Sequence, residues 1–257
     1  MPEVAQRRPA PSQPPGETDA VRAFHLIRSD IISGALAPDT KLKMRELKTR
    51  YGFGASPLRE ALSQLAAQGF VAQMSQRGFR VPPLEAAHLD DITRSRQLIE
   101  GEAFRLAIEA GDAEWEARIV SAFHVLERET RRLMRQRLPL DDAYEEAHSR
   151  FHRALVDACP LPSLKAFSEL LYIQGTRYRM LMSQSLSANA KLLAVHENLK
   201  TLALARRADD AVAALTAHIE VPADMLLKKL DARRASAPRL KLAHPVTTRT
   251  NQRRKTA

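Results

Sequence analysis

The sequence predicts a mainly α protein in two parts: a small basic module of helices closed by a hairpin, then a larger all-helical antiparallel bundle. Three observations carry that reading. Only nine of the 257 residues are glycine, and long runs rich in Ala, Leu, Arg and Glu favour helix. Apolar residues keep a helical period through most of residues 84–231, where no alternating strand pattern occurs. The stretch from Ser56 to Gly69, SPLREALSQLAAQG, reads as a helix with both ends marked and one face left polar.

In chain order, residues 1–19 are rich in proline, carry almost no large apolar side chain, and are expected to be a disordered tail. Thr18 or Asp19 can cap a helix from about Ala20 to Ser33, which Gly34 ends. Residues 38–42 cross to a second helix, Met44 to Tyr51, with room for a small strand. The glycine-bearing turn YGFGA then leads into the Ser56 helix. There Ser56 suits the N-cap, Pro57 the first helical position and Gly69 a left-handed end. Leu58, Ala61, Leu62, Leu65 and Ala66 form an apolar stripe, and Ser56, Arg59 and Ser63 fall on another face. FVAQMSQRGFRV follows as two short strands around a turn at Gln76 to Gly78, with Arg77 at its tip. Two helices across a tight turn and a basic hairpin make a winged helix-turn-helix, whose second helix enters the major groove of duplex DNA.

Pro82-Pro83 forms a short stiff exit from this module, residues 20–83. The second domain, 84–231, is expected to hold helices at about 86–110, 112–136, 140–157, 162–182, 187–206 and 208–231. Gly111, Pro139, Pro160, Pro162 and residues 185–187 supply the breaks. Pro222 cannot donate to the His218 carbonyl, so a bend is expected just after His218. Residues 232–257 lack periodicity and are expected to be a basic disordered tail.

The formal charge of +10 is unevenly placed: residues 20–83 carry +6 and residues 232–257 carry +8, while residues 84–231 sum to −3. A merely solubilising surface does not predict an acidic middle between two basic regions, whereas a nucleic-acid partner for the first module does. One cysteine, Cys159, permits no internal disulfide. No apolar stretch reads as a signal peptide or membrane span, so a cytoplasmic location and no membrane partner are expected.

The segments IRSDIISGALAPDTKLKMREL, YGFGASPLREALSQLAAQGFV and QRGFRV together resemble the DNA-binding domain of the GntR family of bacterial transcription regulators. The resemblance implies DNA contacts from Arg45, from Ser56, Pro57 and Arg59 in the reading helix, and from Arg77 and Gly78 in the wing. Ala55 stands where relatives commonly carry a base-reading arginine, so the operator is not transferable. TRSRQLIEGEAFRLAIEAG, AHSRFHRALVDAC and VHENLKTLALARRADDAVAALTAHI resemble the ligand-binding (FCD) domain of the FadR-type branch.

That second resemblance implies a divalent metal inside the bundle, held by His152 of the Phe151-His152 pair with His196 and His218. His148, one turn before His152 and on the same helix face, stands where the family has an aspartate. Imidazole suits zinc, nickel or copper, so zinc or nickel is expected rather than a harder ion, with an anion completing the coordination. The bland alternative leaves His148 on the surface and the site three-coordinate or without metal. His88, His124 and His244 have no partners at useful spacing. Arg96 matches a first-helix arginine that can clamp an effector carboxylate, although Glu100 one turn on is an alternative partner. The family implies a homodimeric repressor, not an enzyme, that binds a double-stranded operator and senses a small carboxylate effector. The competing reading is a metal-dependent helical-bundle enzyme with an appended DNA-binding head.

Overall fold

A computed structural model describes residues 17–74, 78–181 and 188–236. The wing tip with Arg77, most of the N-terminal tail and residues 237–257 lie outside the described residues.

The first module begins with α1 (Asp19–Ile32), whose N-cap is Thr18, with Oγ1 accepting from the Val21 amide at 3.3 Å. The helix therefore takes in Asp19, which the sequence placed in the tail. Then follow β1 (Lys41–Leu42), α2 (Met44–Tyr51), α3 (Ala55–Ala67), β2 (Ala72–Met74) and β3 (Gly78–Arg80). The strands form one antiparallel sheet in the order β1-β3-β2, with Leu42 opposite Phe79 and Gln73 also opposite Phe79. Ile27, Ile31, Leu47, Leu58, Leu62, Leu65, Phe70 and Val81 make the core of this module. Asp30, buried on α1, accepts from Arg50 Nε at 2.8 Å and from the Tyr51 hydroxyl at 2.6 Å. That pins the end of α2, and burial together with the neighbouring Asp30 carboxylate drives the Tyr51 phenol pKa upward.

The expected Ser56 cap is corrected. α3 starts at Ala55, its N-cap is Gly54 with no side-chain cap bond, and Ser56 lies in the first turn with its side chain exposed. Pro57 still sits among the first four positions, where a missing amide donor costs nothing. Gly69 takes φ +76, as the helix end requires.

The second domain comprises α4 (Ala86–Ala110), α5 (Ala113–Gln136), α6 (Asp142–Val156), α7 (Pro162–Leu181), α8 (Ala190–Leu204) and α9 (Ala208–Ser236). Short polar residues cap three of them: Asp112 accepts from the Trp115 amide, Asp141 from Tyr144 and Asn189 from Leu192, at 2.8–3.0 Å. α4 packs against α7 and α9, and α5 against α6 and α8, around Phe104, Trp115, Leu126, Phe151 and Leu199. The start of the expected basic tail is also corrected, because α9 continues through residues 232–236. Pro222 lies inside α9 without ending it.

Trp115 is fully buried, and its indole N–H donates to the Ala154 carbonyl at 2.9 Å, joining α5 to α6. Gly111 has an ordinary φ of −63°, so its lack of a side chain serves space rather than backbone freedom. A Cβ there would overlap the Trp115 ring. Gly111→Ala is therefore expected to destabilise the protein by about 1–3 kcal/mol through displacement of the indole. Equilibrium urea unfolding measures this, and a change below about 0.5 kcal/mol would show that the ring moves without cost.

Candidate functional site

Two sites share the molecule. In the first module, α3 buries Leu58, Ala61, Leu62 and Leu65, which turns Ser56, Arg59 and Ser63 outward. Arg45 at the start of α2 is exposed as well, and Pro57 is half-buried on the same edge. Gly78 opens β3 at φ +93, a left-handed position that favours glycine, and is exposed at the base of the wing. Of the sequence-predicted DNA contacts among the described residues, Arg45, Ser56, Arg59 and Gly78 thus occupy open positions and Pro57 a half-buried one. Arg50, also basic, is tied to Asp30 instead.

In the second domain the four histidines come together. His148 and His152 project from α6, His196 from α8 and His218 from α9. One nitrogen from each can be chosen so that all four lie within 4.8 Å of one another. Ring centroids are 4.4 Å apart for His148 and His152, 4.6 Å for His196 and His218, and 5.1 Å for His152 and His218. His148 is buried, which removes the alternative of a surface residue.

The hydrogen bonds around the rings fix what each can offer. His196 Nδ1 donates to the Leu192 carbonyl at 2.7 Å, leaving Nε2 as an acceptor, and that atom is buried without a partner among the described residues. His152 Nε2 and His218 Nε2 face each other at 3.2 Å, a separation that needs a proton or an ion between them. His148 Nδ1 lies 2.6 Å from the Tyr172 hydroxyl. Burial, reinforced by the neighbouring rings, pulls the pKa values of His148 and His152 well below 6.5. Burial likewise lowers His218 well below 6.5 and His196 to about 4. Four neutral imidazoles with an orphaned, inward-facing nitrogen fit a borderline divalent ion.

A cavity of about 720 Å³ opens beside them, lined by Arg96, Tyr144, His148, Arg179, Asn198 and His218, with Leu89, Ile92, Leu140 and Val195 on its apolar sides. Arg96 is buried, and Glu100 takes its Nε at 2.6 Å and its Nη2 at 3.2 Å. Its remaining nitrogen, Nη1, lies against Gly175, itself in the cavity wall.

Sequence reasoning missed the polar wall supplied by α7. Tyr172, Thr176 and Arg179 recur at helical spacing and meet Glu145 of α6. Arg179 is gripped by that carboxylate, with Nε to Oε2 at 3.1 Å and Nη2 to Oε1 at 2.5 Å. The i, i+4, i+7 pattern of polar groups in an otherwise packed helix was the available signal.

Comparison with known proteins agrees with both halves. Residues 20–81 match the gntR family of bacterial regulatory proteins, and residues 91–221 match the FCD domain. The uncharacterized HTH-type transcriptional regulator BphR of Paraburkholderia xenovorans (strain LB400) is 38% identical over 197 residues, covering 77% of this chain and 80% of the relative. The HTH-type transcriptional repressor GlaR of Escherichia coli (strain K12) is 32% identical over 203 residues, covering 77% of this chain and 91% of its own length. Among solved structures, E. coli McbR/YncC superposes with a TM-score of 0.67 at 20% identity, spanning 83% of this chain and 99% of that one, which speaks for the fold. Among the described residues no helix is long and apolar enough to cross a membrane. With a winged helix-turn-helix that leaves its reading face open and a helical domain matched along its length, the chain belongs to the GntR family of bacterial transcription regulators, in the group that carries an FCD domain.

Proposed function

We propose that the protein is a metal-containing, effector-responsive repressor that works as a homodimer in the cytoplasm. Two copies of α3, with Arg45 at the edge and the wing alongside, bind the half-sites of a double-stranded operator. The single observation that carries the sensing half is the four-histidine cluster, three of its rings buried and His218 half-buried, at the wall of a cavity. His148, His152, His196 and His218 hold zinc or nickel, and a small carboxylate entering the cavity completes the coordination. Arg96 contributes its Nη1 edge to that anion, the edge Glu100 leaves over. The metal supplies positive charge for the carboxylate, while the chain's own residues hold, orient and desolvate it. The repressor GlaR among the relatives supports the sign of regulation.

Regulation is favoured over catalysis by the state of Glu145, the carboxylate that reaches the cluster through Tyr172. Glu145 accepts from Arg179, Tyr172 and Thr176, so it is not free to take a proton from a metal-bound water.

A physical route from the cavity to the reading head supports effector response. α7 faces the histidines with Tyr172, and it also reaches the first module. Its Ile173 packs on that module's core, and Gln174 lies against Gly69. Arg177 donates through Nη2 to the Pro82 carbonyl, and to the Pro83 carbonyl at 3.1 Å, so it holds the spacer between the domains. A shift of α7 on effector binding would move the spacer and change the separation of the two reading helices.

Arg59→Ala is expected to weaken binding to the DNA upstream of the protein's own gene by about 10–100-fold and to lower the salt slope. A gel-shift titration at two salt concentrations reads both, and undiminished binding would remove α3 from the groove. Zinc or nickel at about a hundredfold over its Kd is expected to stabilise the protein by about 2.7 kcal/mol, and His218→Ala to abolish that effect. Metal analysis with calorimetry would settle it against us if the purified protein takes up neither ion. Metal-free protein is expected to lose stability as the pH falls below 6.5, because the unfolded histidines gain protons that the buried ones resist. For His196 that loss is complete near its folded value of about 4, and above 6.5 this contribution to stability is fully retained. A melting temperature that stays flat from about pH 6.5 to about pH 4.5, measured with chelator present, contradicts the buried neutral cluster.

A further inference from the structure

We propose that Tyr172 and Glu145 are positioning residues of the histidine site: together they lock His148 in the one tautomer that presents Nε2 to a metal. The inference rests on the metal-binding reading and concerns residue 148, where the resemblance to the family implies an aspartate.

The direction of each hydrogen bond follows from what the partners can donate. The Tyr172 oxygen has three polar neighbours: His148 Nδ1 at 2.6 Å, Glu145 Oε1 at 3.1 Å and Arg179 Nη2 at 3.2 Å. Arg179 can only donate, and the Glu145 carboxylate, held in a two-point ion pair with Arg179, can only accept. The single tyrosine proton must therefore go to Glu145, because otherwise two bare oxygens would face each other. An imidazole, unlike the carboxylate, can bring its own hydrogen to the contact. His148 thus carries its proton on Nδ1 and donates it to the Tyr172 oxygen, which leaves the Nε2 lone pair for the cluster. Had Tyr172 donated to Nδ1 instead, Nε2 would hold a hydrogen and His148 would be unable to ligate.

The carboxylate that relatives are expected to use as a direct ligand thus has a counterpart here one turn earlier on the same helix. Glu145 reaches the site through Tyr172 rather than directly, acting as the outer partner that orients a ligating histidine. His196 has its own lock, the Leu192 carbonyl, so two of the four tautomers are set by the protein before any ion arrives.

The test uses the full-length protein in two measurements. In metal-free protein labelled with 15N-histidine, long-range proton–nitrogen spectra report which ring nitrogen of His148 is protonated, with its signals assigned by their loss in His148→Asn. The expected result is Nδ1–H in the parent protein and a mixture of tautomers in Tyr172→Phe. A proton on Nε2 in the parent overturns the proposal. Zinc affinity, read by competition with a chromophoric chelator, is expected to fall about 10–100-fold in Tyr172→Phe. Tyr178→Phe serves as control, since that hydroxyl meets His88 at 2.7 Å, outside the cluster, and affinity should hold. If the parent binds zinc and Tyr172→Phe binds within about twofold of it, the positioning role fails while the metal reading stands. If the parent takes up neither zinc nor nickel, the metal reading fails and the positioning role fails with it.

Discussion

Helix α7 has to satisfy two neighbours at once, and the arrangement of both domains follows from how it does so. On the inward side Tyr172, Thr176 and Arg179 close the polar wall around the histidines. On the outward side Ile173 joins the core of the DNA-binding module and Arg177 grips the proline spacer. Arg177 is almost wholly buried, has no carboxylate partner among the described residues, and burial lowers its pKa. Its Nε and Nη1 lack hydrogen-bond partners among the described residues. A guanidinium in that position is costly. What it does supply is donors to the Pro82 and Pro83 carbonyls, in a spacer where neither proline can offer an amide hydrogen. The spacer is thereby held to a helix rather than left as a hinge.

The reading head obeys a simpler constraint. α3 has one apolar stripe, and burying Leu58, Leu62 and Leu65 against α1 leaves no rotation that would hide Arg59. Asp30 then anchors α2 through Arg50 and Tyr51, so the angle between the two helices of the motif depends on a buried carboxylate as well as on the turn. Arg45, at the opposite end of α2 from that anchor, stays exposed. Basic residues in this module therefore divide into those paired within the protein, as Arg50 is, and those that stay exposed, as Arg45 and Arg59 do.

Element boundaries were legible wherever a local signal decides them. Thr18 caps α1 through its own side chain, Met44 to Tyr51 is the observed second helix, and Gly69 takes the left-handed angle. The cap falls at Gly54 rather than Ser56 because Gly54 takes the extended cap conformation without a side-chain bond, which lets the helix begin earlier. The four histidines were legible through family positions, yet their surroundings were not. Tyr172 meets His148 from another helix, 24 residues away, and no local pattern encodes that meeting. Arg96 shows the same limit: the i, i+4 spacing to Glu100 announced a pair, but only the fold shows that the pair is buried and leaves one nitrogen edge at the cavity.

Charge balance inside the bundle ties these observations together. The two arginines at the cavity are each answered by a glutamate, Arg96 by Glu100 and Arg179 by Glu145, so neither carboxylate is left to neutralise an ion among the histidines. The four rings are neutral at ordinary pH because burial opposes their protonation. A divalent ion held by such a set keeps its full charge in a poorly solvated space, where an unbalanced charge is expensive. A site with an aspartate ligand carries part of the compensation within the protein; with four imidazoles it would have to come from outside. Under the proposed function, the replacement of an acid by His148 makes the anionic effector part of the electrostatic closure of the pocket. Under the same reading, occupancy of the cavity would act on the packing of α7, and through Arg177 on the spacer behind the reading head.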